Sequence, residues 1–369
     1  MSGTRKPRAA KNNAKPPKRV VAVPAEAAPI DAGARPAVAM PTPPLPAPAP
    51  IAAVPVPAAP PGLAHLPMPL LVLPMGLGGA GLAWRAAATT LGAPSFVGEA
   101  LLLLTALAWL VLVGAQVLRG LRHPQAVLAE TRHPVRVAFA AAPTIGLMIL
   151  ASAAFPYWPT LGATLWCIAV PLHLVFAMLL LRRLLAGRGE AAMLAPPLLI
   201  PFVGSILAPA LGVRMGFVEA SWMMFGVGLV MWLVLLPLLL HRLVAGPPLP
   251  GPMRPSLAIF LAPPAVGALA LLELTGQASG FALALVGVAL LVAATLLSLA
   301  REIAATPFSL SWWGVTFPSA AFTVMVLDFG FHPLLGWLAL ALNAALTIWV
   351  AWRTLRAARA GIFLRPEAA

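Results

Sequence analysis

Acidic side chains are scarce: the chain has 10 Asp and Glu in 369 residues, against 24 Lys and Arg. Charged residues make up 9% of the sequence, where a soluble globular domain carries about 25%. Too few charges remain to solvate a globule of this size, which excludes a soluble enzyme. Cysteine is nearly absent. The single Cys167 rules out an intramolecular disulfide, a four-cysteine zinc site and a Cys-ligated iron–sulfur cluster. Lysine ends at residue 18, with only Lys6, Lys11, Lys15 and Lys18 in the chain. Beyond the first 19 residues the basic side chains are almost all arginines at the ends of apolar runs. The net charge of +14 and the pI near 11.7 therefore speak of membrane topology rather than a nucleic-acid-binding face.

What the sequence has in abundance is apolar surface: 61% of residues are hydrophobic, and the mean hydropathy is +0.94. Residues 1–60 are different, holding 15 of the 42 prolines, including PTPPLPAPAP at 41–50. Proline fixes φ and removes backbone donors, so this stretch reads as a disordered cytoplasmic tail, basic and then Pro/Ala-rich. No uninterrupted apolar run follows its basic start before residue 66, so it does not read as a signal peptide. Residues 61–360 read as a membrane domain, and 361–369 as a short cytoplasmic C-terminal tail. Within the domain the sequence predicts ten apolar helices, at 66–88, 97–119, 134–155, 158–184, 194–212, 217–242, 255–275, 279–299, 310–331 and 333–358. About 20 helical residues cross the roughly 30 Å hydrocarbon core, and helices satisfy their own backbone there.

Arginine distribution supports the count. With the N-terminus inside, the linkers after helices 2, 4, 6 and 8 and the C-terminal end carry 14 arginines, whereas the opposite side carries only Arg85 and Arg214. That asymmetry follows the positive-inside rule. It predicts a multi-pass protein of the inner (plasma) membrane with both termini cytoplasmic.

Prolines recur in the odd-numbered helices at Pro74, Pro143, Pro201, Pro263 with Pro264, and Pro318, spaced by 69, 58, 62 and 55 residues. Each interval is about one helical hairpin. Interior prolines kink helices and free carbonyls, which hydrocarbon tolerates only where those groups face protein or water. The expectation is five hairpins, with an inner ring of kinked helices and an outer ring against lipid. Proline is also commoner in membrane helices generally. The glycine-rich stretch Pro74 to Gly81 fits either close helix packing or a wall without side chains.

Catalytic and metal-binding patterns are missing. Glu99, Glu219, Glu273 and Asp328 all fall near predicted helix ends, and the clear ionisable residue at a helix centre is His173. A haem would require a second central histidine on a facing helix. A lone buried histidine more often packs through a hydrogen bond. No HExxH, Ser/His/Asp or metal-spaced cluster is visible, so neither a cofactor nor an enzymatic activity is expected. A path without internal carboxylates and with arginines on its rim is compatible with anions, although kink carbonyls act in the opposite sense.

Three stretches resemble the tellurite-resistance/dicarboxylate transporter family, which includes TehA-type channels and plant slow anion channels. They are His133-Pro134-Val135-Arg136, Arg254 to Pro264 (RPSLAIFLAPP) and Pro307 to Pro318 (PFSLSWWGVTFP). The likeness covers residues 61–358. It implies an all-α membrane protein of ten helices in five hairpins, a pore in each protomer lined by the odd-numbered helices, and a homotrimer. It also places the family's gating phenylalanine at Phe317. On its own, a phenylalanine before a proline reads as a packing residue. The implied activity is gated passage of small inorganic or organic anions across the bilayer. The alternatives are a carrier for C4-dicarboxylate or sulfite, proton-coupled or not, and a membrane enzyme or haem protein using His173.

Overall fold

The computed structural model describes residues 62–366; the tail predicted at 1–60 lies outside the described residues. Among these, ten helical segments are long and apolar enough to cross a membrane. They are span 1 (Met68–Leu91), span 2 (Ser95–Arg122), span 3 (Arg136–Ala154), span 4 (Pro159–Leu185) and span 5 (Pro196–Met215). The second half supplies span 6 (Val218–Ala245), span 7 (Gly251–Thr275), span 8 (Gly280–Ser298), span 9 (Leu310–Asp328) and span 10 (Pro333–Arg359). Every boundary falls within four residues of the sequence expectation. The described residues form no strand. Two α-helices lie outside that expectation, the single turn Ala300–Ala304 after span 8 and, longer, Pro124–Arg132, which links spans 2 and 3. Proline opens it and arginine closes it, as dipole and capping preferences favour, but it is too short to cross a bilayer.

Burial alternates along the chain. Spans 1, 3, 5, 7 and 9 are 61–72% buried, and spans 2, 4, 6, 8 and 10 only 11–33%. Each large hydrophobic side chain exposed within a span belongs to an even-numbered one. The odd spans touch in order, 1 on 3, 3 on 5, 5 on 7, 7 on 9 and 9 on 1, which closes a circle of contacts. Each even span packs against the odd span that precedes it.

Backbone geometry alternates as well. The even spans are continuous α-helices, apart from outward-facing prolines Pro171 in span 4 and Pro237 in span 6. The odd spans all begin in a 3-10 turn and then change to α. In spans 1, 3 and 7 the prolines at 74, 143 and 263 sit in the first turn of the α-segment. There the missing N–H falls at the changeover from 3-10 to α bonding. Pro201 and Pro318 lie inside α-segments. Span 5 is the most broken, passing through Leu199–Val203 and Leu207–Gly212 with 3-10 turns between and around them.

Outer spans satisfy part of this irregular backbone. Trp109 of span 2 donates Nε1–H to the Pro143 carbonyl at 2.8 Å. Trp166 of span 4 does the same for the Ala208 carbonyl at 3.2 Å. From span 10, Asn343 Nδ2 donates to the Thr316 carbonyl at 3.1 Å and to Ser319 Oγ at 2.9 Å. In a hydrocarbon setting an unsatisfied amide or carbonyl costs several kcal/mol, so these donors allow the inner backbone to depart from regular α geometry. Span 1 achieves close approach by omission. A Cβ on Gly76 would lie 2.1 Å from Thr316 Oγ1, and one on Gly79 3.0 Å from Phe317 Cδ2.

Candidate functional site

Two cavities lie inside the circle of odd spans. The narrower is lined by all five, including Met75, Ile145, Val203, Ile259, Phe317 and Pro318, and no charged side chain reaches it. About 50 Å³ of it can be reached by the centre of a water molecule, room for a few waters only. It lies towards the end of the bundle that carries the first and last described residues, where Gly62 N–H bonds the Leu364 carbonyl at 2.8 Å. The wider cavity, with about 310 Å³ of such space, lies towards the far end and draws on the same five spans. Three side chains line both cavities: Leu207, Val266 and Phe317.

Phe317 therefore stands where one cavity gives way to the other. It is 8% exposed, and its ring packs against Gly79, where a Cβ would crowd it. Span 10 braces this stretch of span 9 from behind through the bonds from Asn343 to Thr316 and Ser319, one residue before and two residues after Phe317. A narrow apolar constriction of this kind strips water from an ion without replacing its hydration.

The far cavity has a charged rim. Arg85 of span 1 is held by Glu99 of span 2 through Nε at 2.9 Å and Nη2 at 2.7 Å, and it also donates to the carbonyls of Ser152 and Ala153. Arg214 of span 5 reaches both oxygens of Glu273 of span 7, with Nε 3.0 Å from each. Asp328, at the end of span 9, lines the same cavity and has no hydrogen-bond or ion-pair partner among the described residues. The sequence places these acids at helix ends but does not bring them together. A signal is there all the same: the two far-side arginines and these carboxylates all occur where spans reach the same face.

The remaining predicted site residues divide. Pro263 and Pro318 line the narrower cavity, whereas Pro74, Pro143 and Pro201 line neither. His173 is fully buried in span 4, with Nδ1 2.8 Å from Thr144 Oγ1 and its ring against Gly204. No cluster of three or more His, Cys, Asp or Glu among the described residues could hold a metal ion.

A ten-span membrane protein with an axial cavity enclosed by alternate spans is the class that these features define. Residues 65–357 match the family described as SLAC1, voltage-dependent anion channel, and the chain belongs to that family. The S-type anion channel SLAH2 of Arabidopsis thaliana is 27% identical over 268 residues, covering 70% of this chain and 51% of the plant protein. The guard cell S-type anion channel SLAC1 of the same plant is 26% identical over 219 residues, or 58% of this chain and 39% of that protein. The tellurite resistance protein TehA homolog of Haemophilus influenzae is 25% identical over 259 residues, covering 69% and 79% respectively. The chain thus spans about half the length of the first plant relatives it matches.

Proposed function

We propose that this chain is a gated anion channel, with the odd-numbered spans forming the pore and the Phe317 ring acting as its gate. The observation that carries the reading is the pair of cavities, lined by odd spans and meeting at Phe317. Family membership supports anion transport, and the uncharged inner cavity fits a path that binds weakly and passes ions quickly once open. In this reading the protein works as a homotrimer with one pore per protomer. It sits in the inner (plasma) membrane with its arginine-rich side and both termini in the cytoplasm. Reversal potentials in a planar bilayer test the proposal. Current that follows an imposed chloride or nitrate gradient and ignores a proton gradient is the expected result.

One observation favours a second reading, a proton-coupled carrier for small carboxylates. Asp328 is a carboxylate exposed at the far cavity that makes no hydrogen bond among the described residues and lies in the field of the paired Arg214 and Glu273. A carrier requires a group that gains and loses a proton with each cycle. Asp328→Asn separates the two. In a channel it removes a negative charge from the mouth and raises anion current several-fold at most, with the reversal potential unchanged. In a carrier it abolishes uptake driven by a proton gradient.

A further inference from the structure

At the end of the bundle that carries both described termini lies a cleft outside the conduit, between the linking helix and the end of span 4. It offers about 590 Å³ to the centre of a water molecule and is lined by Arg132, Arg182, Arg183, Arg188, Glu190 and Leu179, among others. Four guanidiniums against one carboxylate leave a strong local excess of positive charge.

The four arginines do different things. Arg183 builds the cleft: it donates to the carbonyls of Thr131 at 3.1 Å, Arg132 at 2.9 Å and Arg188 at 3.3 Å, and it pairs with Glu190 at 3.2 Å. Those bonds tie the linking helix to the end of span 4. Arg132, Arg182 and Arg188 are exposed, and their side chains have no partner among the described residues. Held around one cleft, they repel one another unless an anion lies between them. Leu179, 49% exposed, lines the same cleft and belongs to the outward apolar face of span 4, with Leu185 exposed beyond it. The cleft is therefore polar and cationic, with an apolar edge at Leu179.

We propose that this cleft binds the phosphate headgroup of an anionic phospholipid in the leaflet on the terminal side, its acyl chain lying along span 4 at Leu179. Arginine suits the ligand because its planar fork meets phosphate oxygens two at a time. A soluble phosphate would use the guanidiniums but gain nothing from Leu179. The chain's own N-terminal segment has the wrong sign of charge for an occupant, since residues 1–61 carry eight Lys and Arg against Glu26 and Asp31.

The test uses the full chain in nanodiscs of phosphatidylcholine, with or without phosphatidylglycerol, read by lipid retention in native mass spectrometry and by melting temperature. Wild type is expected to retain phosphatidylglycerol and to melt higher in its presence. Arg182→Gln/Arg188→Gln is expected to weaken retention about fivefold per guanidinium removed, with unchanged melting in phosphatidylcholine alone. Arg301→Gln/Arg359→Gln, exposed at the same end of the bundle, serves as a surface-charge control. Should the double variant fail to fold, Arg188→Gln alone carries the test, because that side chain makes no bond within the fold. Equal loss in the control, or no loss in either variant, overturns the site. Inorganic phosphate that stabilises the phosphatidylcholine sample as much as the lipid does overturns the lipid assignment.

Discussion

Spans 1 and 2 lie against each other along most of their length and yet follow opposite rules. Span 1 is 72% buried, starts in a 3-10 turn, and carries glycines where span 9 presses on it. Span 2 is one continuous helix, 11% buried, with Leu, Val and Phe facing outward. The same contrast holds in the other four pairs. Irregular backbone is costly wherever lipid can reach it and tolerable where protein encloses it. Regularity in the outer spans is thus what permits irregularity in the inner ones, and Trp109, Trp166 and Asn343 are the side chains that carry the support across.

If that division of labour is correct, substitutions in the inner spans change conduction or the packing around the cavities, and those in the outer spans leave conduction alone. The largest effect is expected at Phe317. Phe317→Ala removes the ring shared by both cavities and lets water through, and about tenfold in current follows from each ~1.4 kcal/mol taken off the barrier. If the ring only packs, its truncation lowers stability by about 3–5 kcal/mol with no added current. Single-channel recording together with melting temperature separates the two outcomes.

Glycines offer a sharper contrast of stability. A Cβ on Gly204 of span 5 would lie 2.6 Å from His173 Cε1 and 2.7 Å from Ile145 Cδ1; Ile145 borders the narrower cavity, but the His173 imidazole is fully buried. Gly204→Ala is expected to cost about 1–3 kcal/mol through overpacking. A Cβ on Gly114 of span 2 meets nothing within 4 Å, so Gly114→Ala is expected to be neutral or stabilising by up to about 1 kcal/mol. Paired thermal melts in one detergent check both.

The prolines give the smallest but most specific test. Pro263 opens the α-segment of span 7 and lines the narrower cavity, while Pro237 lies inside span 6 and faces outward. Pro263→Ala is expected to alter single-channel conductance with little change in melting. Pro237→Ala restores a helix bond and is expected to raise stability, by at most about 3 kcal/mol, with conductance unchanged. The reverse pattern would break the distinction between inner and outer spans.

The ten spans are legible in the sequence because apolar runs of this length, in a chain with so little charge, suit a membrane helix and little else. The 3-10 character of the inner spans is not. A 3-10 turn and an α-turn of the same apolar residues share one hydropathy pattern, and Pro74, Pro143 and Pro263 begin α-segments rather than bend them midway. The linking helix at Pro124–Arg132 is short and polar, so its pattern is that of a loop. Phe317 stands out through its motif, not its local chemistry. The rim of Arg85, Arg214, Glu273 and Asp328 is hidden for a different reason. Its members come from four spans far apart in the chain; counting spans puts them on one face, but nothing local announces that their ends converge.

The bond from Gly62 N–H to the Leu364 carbonyl brings the two ends of the described domain within one hydrogen bond of each other. Together with the contact of span 9 on span 1, it leaves the circle of hairpins without a structural seam. The order in which the ribosome delivers the hairpins is then separable from the order in which they stand. A circular permutant that joins Leu364 to Gly62 by a short linker and opens between spans 6 and 7, at Pro247–Pro250, keeps every hairpin intact. Its new termini also emerge on the original side of the membrane.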